Sequence, residues 1–292
     1  MDANEEIQAV SPRAAMQAVG GVMIAAAATA ALASSAKAQA GTPTDADVLN
    51  FALNLEYLEA EYYLNAVNGS GLSGGDSGGT TSPTGAGKVN FTTPAIQQYA
   101  QEIAADELAH VKFLRSALGG AAVARPTVDL SPAVWTAAAK AAGLIPAADT
   151  TTVFNPYANE LFFLIGAFVF EDVGVTAYSG AANLITNRSL LAYAASVLAV
   201  EAYHAGAVRT LLANIGAGEA TNKIAGLRAR LSGADDERLL TTPTNQYNFA
   251  PTDQQAQTYR RTPRQVLNIV YGAPNAASGL FCPAGMNGTI RS

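Results

Sequence analysis

The chain has 292 residues, 49% hydrophobic and 14% charged, which is enough apolar material to bury a core and too little charge for a disordered chain. Its 17 basic residues against 23 acidic give a formal net charge of -6, and no Lys/Arg cluster offers a face for phosphates, which argues against nucleic acid as a partner. The single cysteine, Cys282, cannot form an internal disulfide or a thiolate cluster, so any metal must be held by nitrogen and oxygen.

Residues 1–40 differ in kind from the rest. No charge occurs between Arg13 and Lys37, and Ala38-Gln39-Ala40 supplies the small-x-small pattern of a cleavage site. This predicts an export signal and a periplasmic or extracellular protein. The rival is a retained membrane anchor, because the uncharged run approaches the roughly 20 residues that cross a bilayer; a membrane partner follows only if the segment is kept. From Asp45 the apolar period is helical and runs without Gly or Pro to Gly69, with Thr44 and Asp45 placed to cap it. Gly69 to Thr93, rich in Gly, Ser and Thr, reads as an insertion loop that buries little surface.

Pro94 opens a second helix that ends at Leu118 before Gly119-Gly120. A short crossing helix is expected over Ser131 to Ala142, with Trp135 as a packing residue. A third long run, Tyr157 to about Ile185, is apolar around most of its circumference, so it belongs in the core; Glu160, Glu171 and Asp172 count against a lipid span. Asn187 or Ser189 caps a fourth run to about Ile215. A shorter helix over Gly218 to Ser232, a polar loop from Asp235 to Asp253 and a last helical stretch from Pro263 to Tyr271 complete the chain. Four long helices without a strand pattern predict an all-α four-helix bundle over 45–216, with 217–292 as a C-terminal helical and loop extension packed on it.

Only two histidines occur, and each stands three residues after a glutamate: Glu107-Leu108-Ala109-His110 in the second long helix and Glu201-Ala202-Tyr203-His204 in the fourth. With only 12 glutamates in the chain, that double coincidence is a strong signal. Residues i and i+3 share one helix face, so a carboxylate and an imidazole can reach the same ion. The other two long helices offer Glu56 and Glu171, the latter walled by Phe168 and Phe170, where an ionised carboxylate is costly without a cation. Tyr63 and Tyr178 follow Glu56 and Glu171 by seven residues, two turns, and so can each hydrogen-bond a ligand carboxylate of a neighbouring helix.

The order Glu, Glu-x-x-His occurs twice, as an internal repeat of a helix pair. Glu56 to Glu107 spans 51 residues and Glu171 to Glu201 spans 30, a difference close to the length of the Gly69–Thr93 insertion. A pseudo-twofold pair of hairpins would place six ligands around two ions, the four carboxylates neutralising two divalent cations. Glu59, one turn after Glu56 on nearly the same face, is expected beside the ligands or at the rim, with a further ligand as the alternative. Glu160 is expected to be a helix-start charge favoured by the macrodipole.

These residues resemble the di-metal carboxylate site of the ferritin-like superfamily. More narrowly, the segments Asp47 to Tyr63, Arg261 to Gly272 and Gly279 to Gly288 resemble the desiccation-related ferritin-like proteins. The resemblance covers about residue 45 to the end. It implies that Glu107 and Glu201 bridge two Fe or two Mn ions, while Glu56 with His110 and Glu171 with His204 complete the ends. It also implies an aspartate before each Glu-x-x-His motif that orients a histidine across the site. Asp106 fills one such place and Val200 the other, so the support is asymmetric or Asp172 substitutes. The long insertions depart from a sealed storage cage.

Two functions from different classes follow. The first is a di-iron or di-manganese oxidoreductase of peroxidase, catalase or ferroxidase type, acting on peroxide, dioxygen or ferrous iron in stress protection, with no catalytic residue beyond the metal ligands. The second is a non-catalytic stress-protective or surface-interaction protein that uses the bundle as a scaffold. The acidic surface and apolar helices are compatible with a homodimer. Cys282 reads as an inert loop thiol, or less simply as a link between chains.

Overall fold

The computed structural model describes residues 42–79, 82–234, 238–240 and 246–292. The expected export signal or anchor at 1–40, with its cleavage site, lies outside the described residues. Among those described, eight helices account for the regular structure: α1 (Asp45–Asn68), α2 (Gly74–Ser77), α3 (Pro94–Leu118), α4 (Pro132–Ala142), α5 (Glu160–Ala181), α6 (Arg188–Asn214), α7 (Gly218–Ser232) and α8 (Pro263–Val270). The four long ones form an all-α bundle of two hairpins, α1 packing along α3 and α5 along α6.

Local chemistry sets the ends. Thr44 caps α1 in a reciprocal box with Asp47, and Pro94 and Pro132 occupy first-turn positions of α3 and α4, where a missing N–H costs nothing. The third long helix starts later than its apolar run suggests. Asn159 accepts from Phe162 N and so begins α5 at Glu160, and its last turn tightens into a 3-10 turn at Ala182–Leu184. Asn187, rather than Ser189, caps α6.

Burial follows the expected order. α1 is buried from Val48 to Ala66 and α5 nearly throughout, because both are covered by the extension as well as by their hairpin partners. The most apolar window of Glu160–Leu184 is long enough to cross a membrane, but 83% of it is buried inside the protein, as in a core helix. α3 and α6 instead bury one stripe each, and those stripes carry the Glu-x-x-His motifs.

One expectation needs correction, and one minor alternative falls away. The Gly69–Thr93 insertion is not a bare loop: it forms the helical turn α2, bridges Thr84 to Asp129, and buries Val89, whose N–H donates to Ala66 O at 2.9 Å. Its end also ties α5 down, since Glu160 accepts from Thr93 N at 2.6 Å, a contact the sequence spacing could not foresee. Cys282 is fully buried, which excludes a link between chains, and burial pushes its thiol up to about 12.

The extension is gripped by polar side chains of the bundle. Asn54 exchanges hydrogen bonds with the backbone of Asn287 at 2.9 and 3.0 Å, while Asn50 does the same for the stretch after α3, with Ala121 O and Val123 N at 3.0 and 2.9 Å. Arg261 donates its backbone N–H to Thr176 O at 3.0 Å, and a Cβ at Gly180 would collide with the Arg261 backbone, so glycine is needed there for close approach.

Candidate metal centre

Each hairpin contributes one glutamate from its first helix and a Glu-x-x-His pair from its second. All six side chains point into the middle of the bundle, where Glu56, Glu107 and Glu201 are fully buried, Glu171 is 1% exposed, His204 5% and His110 8%. They form two overlapping groups: Glu56, Glu107, His110 and Glu201, and Glu107, Glu171, Glu201 and His204. Within each group the ligand atoms lie within 4.8 Å of one another, and Glu107 and Glu201 belong to both.

The histidines face the carboxylates from opposite ends, their ring centroids 6.4 Å apart. His110 Nδ1 lies 3.1 Å from Glu56 Oε2 and 3.4 Å from Glu201 Oε1; His204 Nδ1 lies 3.1 Å from Glu107 Oε1 and 3.5 Å from Glu171 Oε2. The two tyrosines cross over: Tyr63, on the Glu56 helix, donates to Glu171, and Tyr178, on the Glu171 helix, donates to Glu56. This swap ties the hairpins together at the site and leaves the other oxygen of each glutamate facing inward.

His204 Nε2 meets Asp106 at 3.1 Å, which leaves Nδ1 as the ring atom directed at the carboxylates. Among the described residues no carboxylate does this for His110, whose counterpart position is Val200. Asp172 does not substitute. It is buried and accepts from Arg209 Nε and Nη2, each at 2.9 Å, and from Arg228 Nη2 at 3.0 Å. Burial opposes its charge, but the two guanidinium groups outweigh this and hold its carboxyl below the usual range.

Glu59 is not at a rim. It is 4% exposed, and a Cβ at Gly174 would come within 3.2 Å of Glu59 Oε1 and 2.5 Å of Glu201 Oε2, which places both carboxylates against the bare backbone of α5. Sequence reasoning missed Gly174. Its signal was a glycine three residues after Glu171, on the same face of a buried helix.

Five carboxylates in so small a volume repel one another. Burial and the Glu56 charge raise Glu107 to about 7, and burial with the Glu107 charge holds Glu201 well above the carboxylate range. Glu59 is also raised well above its usual range, by burial and then by Glu201 and Glu107. Burial works against a charged His204, but the Glu107 and Glu171 carboxylates beside it carry it up to about 12; His110 is raised likewise against its burial, chiefly by Glu56.

These residues fit a metal. Both oxygens of Glu107 and of Glu201, Glu171 Oε2 and His204 Nδ1 are buried without a hydrogen-bond partner, and such bare acceptors, converging, need cations or protons. The donor set of carboxylate and imidazole suits Fe, Mn and other ions that bind oxygen and nitrogen.

Comparison with known proteins agrees with this reading. The Ferritin-like domain family matches residues 44–214. The chain is 31% identical to the "Ferritin-like catalase Nec2" of Nesocodon mauritianus, covering 84% of each chain. It is 30% identical to the "Desiccation-related protein PCC13-62" of Craterostigma plantagineum, over 84% of this chain and 83% of that one. No solved structure gives a significant match. A family match over more than half of the chain, and relatives at 30% identity or more across most of its length, show that the chain belongs to the ferritin-like superfamily and, within it, to the desiccation-related proteins.

Proposed function

We propose that the protein is a dinuclear iron or manganese oxidoreductase that acts on peroxide, dioxygen or ferrous iron. The observation that carries this is the sharing of Glu107 and Glu201 by two four-residue groups, a pattern suited to two ions with bridging carboxylates and one histidine each. In this reading Glu56 and His110 hold one ion, and Glu171 and His204 the other. A bound pair of redox metals would supply the electron exchange with the oxidant.

The chain's own residues prepare the site. The Tyr63 and Tyr178 hydroxyls fix the rotamers of Glu171 and Glu56, and Asp106 fixes the tautomer of His204. Burial of the cluster keeps bulk water away, which strengthens each charge interaction there. Glu59 lies buried beside Glu201, where burial and the neighbouring carboxylates raise it well above the usual range. The relative named a ferritin-like catalase supports peroxide as the first substrate to test.

Protein purified from its natural compartment is expected to carry about two Fe or Mn per chain and to consume hydrogen peroxide. Substituting Glu107→Gln should abolish both metal retention and turnover. If loaded protein consumes no peroxide or dioxygen and oxidises no ferrous iron while metal still raises its melting temperature, the scaffold role replaces the catalytic one. Export to the periplasm or the cell exterior is part of the proposal. Its support is the uncharged run and the Ala38-Gln39-Ala40 pattern, and N-terminal sequencing of the secreted form tests it.

A further inference from the structure

Tyr62 and Tyr63 are adjacent on α1, and adjacent residues on a helix diverge by about 100°, so the two rings face different sides. Tyr63 faces the carboxylates and donates to Glu171, whereas Tyr62 faces α4 and α5 and donates to Phe163 O at 2.7 Å. Their ring centroids lie 5.1 Å apart, and on its far side Tyr62 meets Trp135 of α4 at 5.6 Å. Both separations are those of aromatic rings in contact. A continuous row of three buried rings thus runs from a ligand of the proposed metal centre to the crossing helix.

Chemistry singles out these three. Tyrosine and tryptophan give up one electron far more readily than phenylalanine, and the Phe163, Phe170 and Phe281 rings that wall the row only exclude water. A tyrosine loses its phenol proton on oxidation and needs a base nearby. Tyr62 has only a backbone carbonyl, and Tyr157, whose ring lies 5.7 Å from that of Tyr62, has a buried hydroxyl without an acceptor, so neither holds a radical. Trp135 needs no base, because an indole carries the charge as a cation, and its own N–H is buried without an acceptor and keeps its proton. Trp135 also lines the groove between α4 and α7, whose edge residues Ala137 and Ala141 are exposed.

We propose that Trp135, Tyr62 and Tyr63 conduct single electrons from the α4–α7 side of the molecule to the metal centre, so that a phenol in solution drives peroxide reduction without entering the carboxylate cluster. An electron passes inward through Tyr62 and Tyr63 and leaves Trp135 as a cation radical, which the phenol refills. Two phenols give up two electrons and two protons and leave as phenoxyl radicals, while one peroxide takes these up and becomes two waters. The metal end of the chain rests on the proposed redox function; the row of rings does not.

Trp135 is the one tryptophan of the chain, so a laser pulse at a wavelength that tyrosine does not absorb ejects an electron from it alone. In metal-free protein the Trp135 radical is expected to decay as a tyrosyl radical rises, the electron coming from Tyr63 through Tyr62 and the Tyr63 proton passing to the Glu171 oxygen it already faces. Tyr62→Phe should slow this exchange at least tenfold with helicity by circular dichroism kept, because Trp135 must then reach Tyr63 in one long step. Tyr193→Phe, at an exposed tyrosine off the row, should leave the rate unchanged. In metal-loaded protein frozen rapidly after peroxide is added, electron paramagnetic resonance should show a tryptophan radical that disappears in Trp135→Phe and on addition of phenol. An equal rate in Tyr62→Phe overturns the chain, and peroxide consumption without a Trp135 radical overturns its link to the centre. Protein that consumes no peroxide undoes the proposed function instead, and the light experiment then decides the row of rings by itself.

Discussion

Glu56 and Glu171 are each held by a tyrosine from the other hairpin, and that crossing makes single substitutions informative. Tyr63→Phe frees one oxygen of Glu171 and Tyr178→Phe one of Glu56, so each should lower metal affinity roughly 10–100-fold, as loss of such supporting hydrogen bonds does. Competition titration with Mn or Co measures it. Asp106→Asn should act comparably through His204. Val200→Asp, which supplies His110 with the counterpart it lacks, should tighten binding; an unchanged affinity would show that His110 needs no such support. The tyrosines were legible from their seven-residue spacing, because two helical turns return a side chain to the same stripe. The fate of Asp172 was not, because adjacent residues on a helix diverge by about 100° and nothing local says which neighbour Asp172 meets. Arg209 and Arg228, distant in sequence, decide it.

At the scale of the helix, α5 shows how backbone composition shapes the site. A glycine inside a helix costs about 0.5–1 kcal/mol relative to alanine, yet at Gly174 the missing methyl is the space that Glu201 and Glu59 occupy. Gly174→Ala should therefore gain little or no stability despite its better propensity, and it should reduce metal affinity by displacing Glu201. Calorimetric melting and metal titration of the same variant separate the two effects, and a more stable variant with undiminished affinity would refute the steric account. Helix boundaries were readable wherever Pro, Gly or a capping side chain stood at the end, as at Pro94 and Gly69. They were misjudged at the start of α5, where Tyr157 and Pro156 continue the apolar run and only Asn159 stops it.

For the molecule as a whole, the crowding of carboxylates couples stability to pH and to metal. Glu107 has an ordinary value of 4.5 and is raised to about 7 in the fold, so between those values the folded state holds a proton that the unfolded state releases. The free energy of unfolding of metal-free protein must then fall as pH rises through that window. His204, raised from 6.5 to about 12, continues the same slope above pH 6.5, since the folded state again keeps the extra proton. Asp172 works in the opposite sense: its lowered value contributes stability above 3.8 that is lost as pH falls further. Metal-free protein is thus expected to melt highest near pH 4–5 and lower at pH 7.5. Divalent metal should reverse the neutral-pH loss while releasing protons, which calorimetry in buffers of different ionisation heat detects. A metal-free melting temperature that climbs steadily to pH 8 would contradict the crowded, partly protonated cluster. The sequence by itself determined the four long helices, the two Glu-x-x-His pairs and the glutamates and tyrosines that share their stripes, because helical period is a local property that spacing records. Only the tertiary structure decided which tyrosine serves which glutamate, that Glu59 lies inside rather than at the rim, that the Gly-rich insertion folds against α1, and that Trp135 of α4 meets Tyr62 of α1. Those outcomes depend on how separately formed helices approach one another, and distances between helices are set by side-chain volumes and partners far apart in the chain.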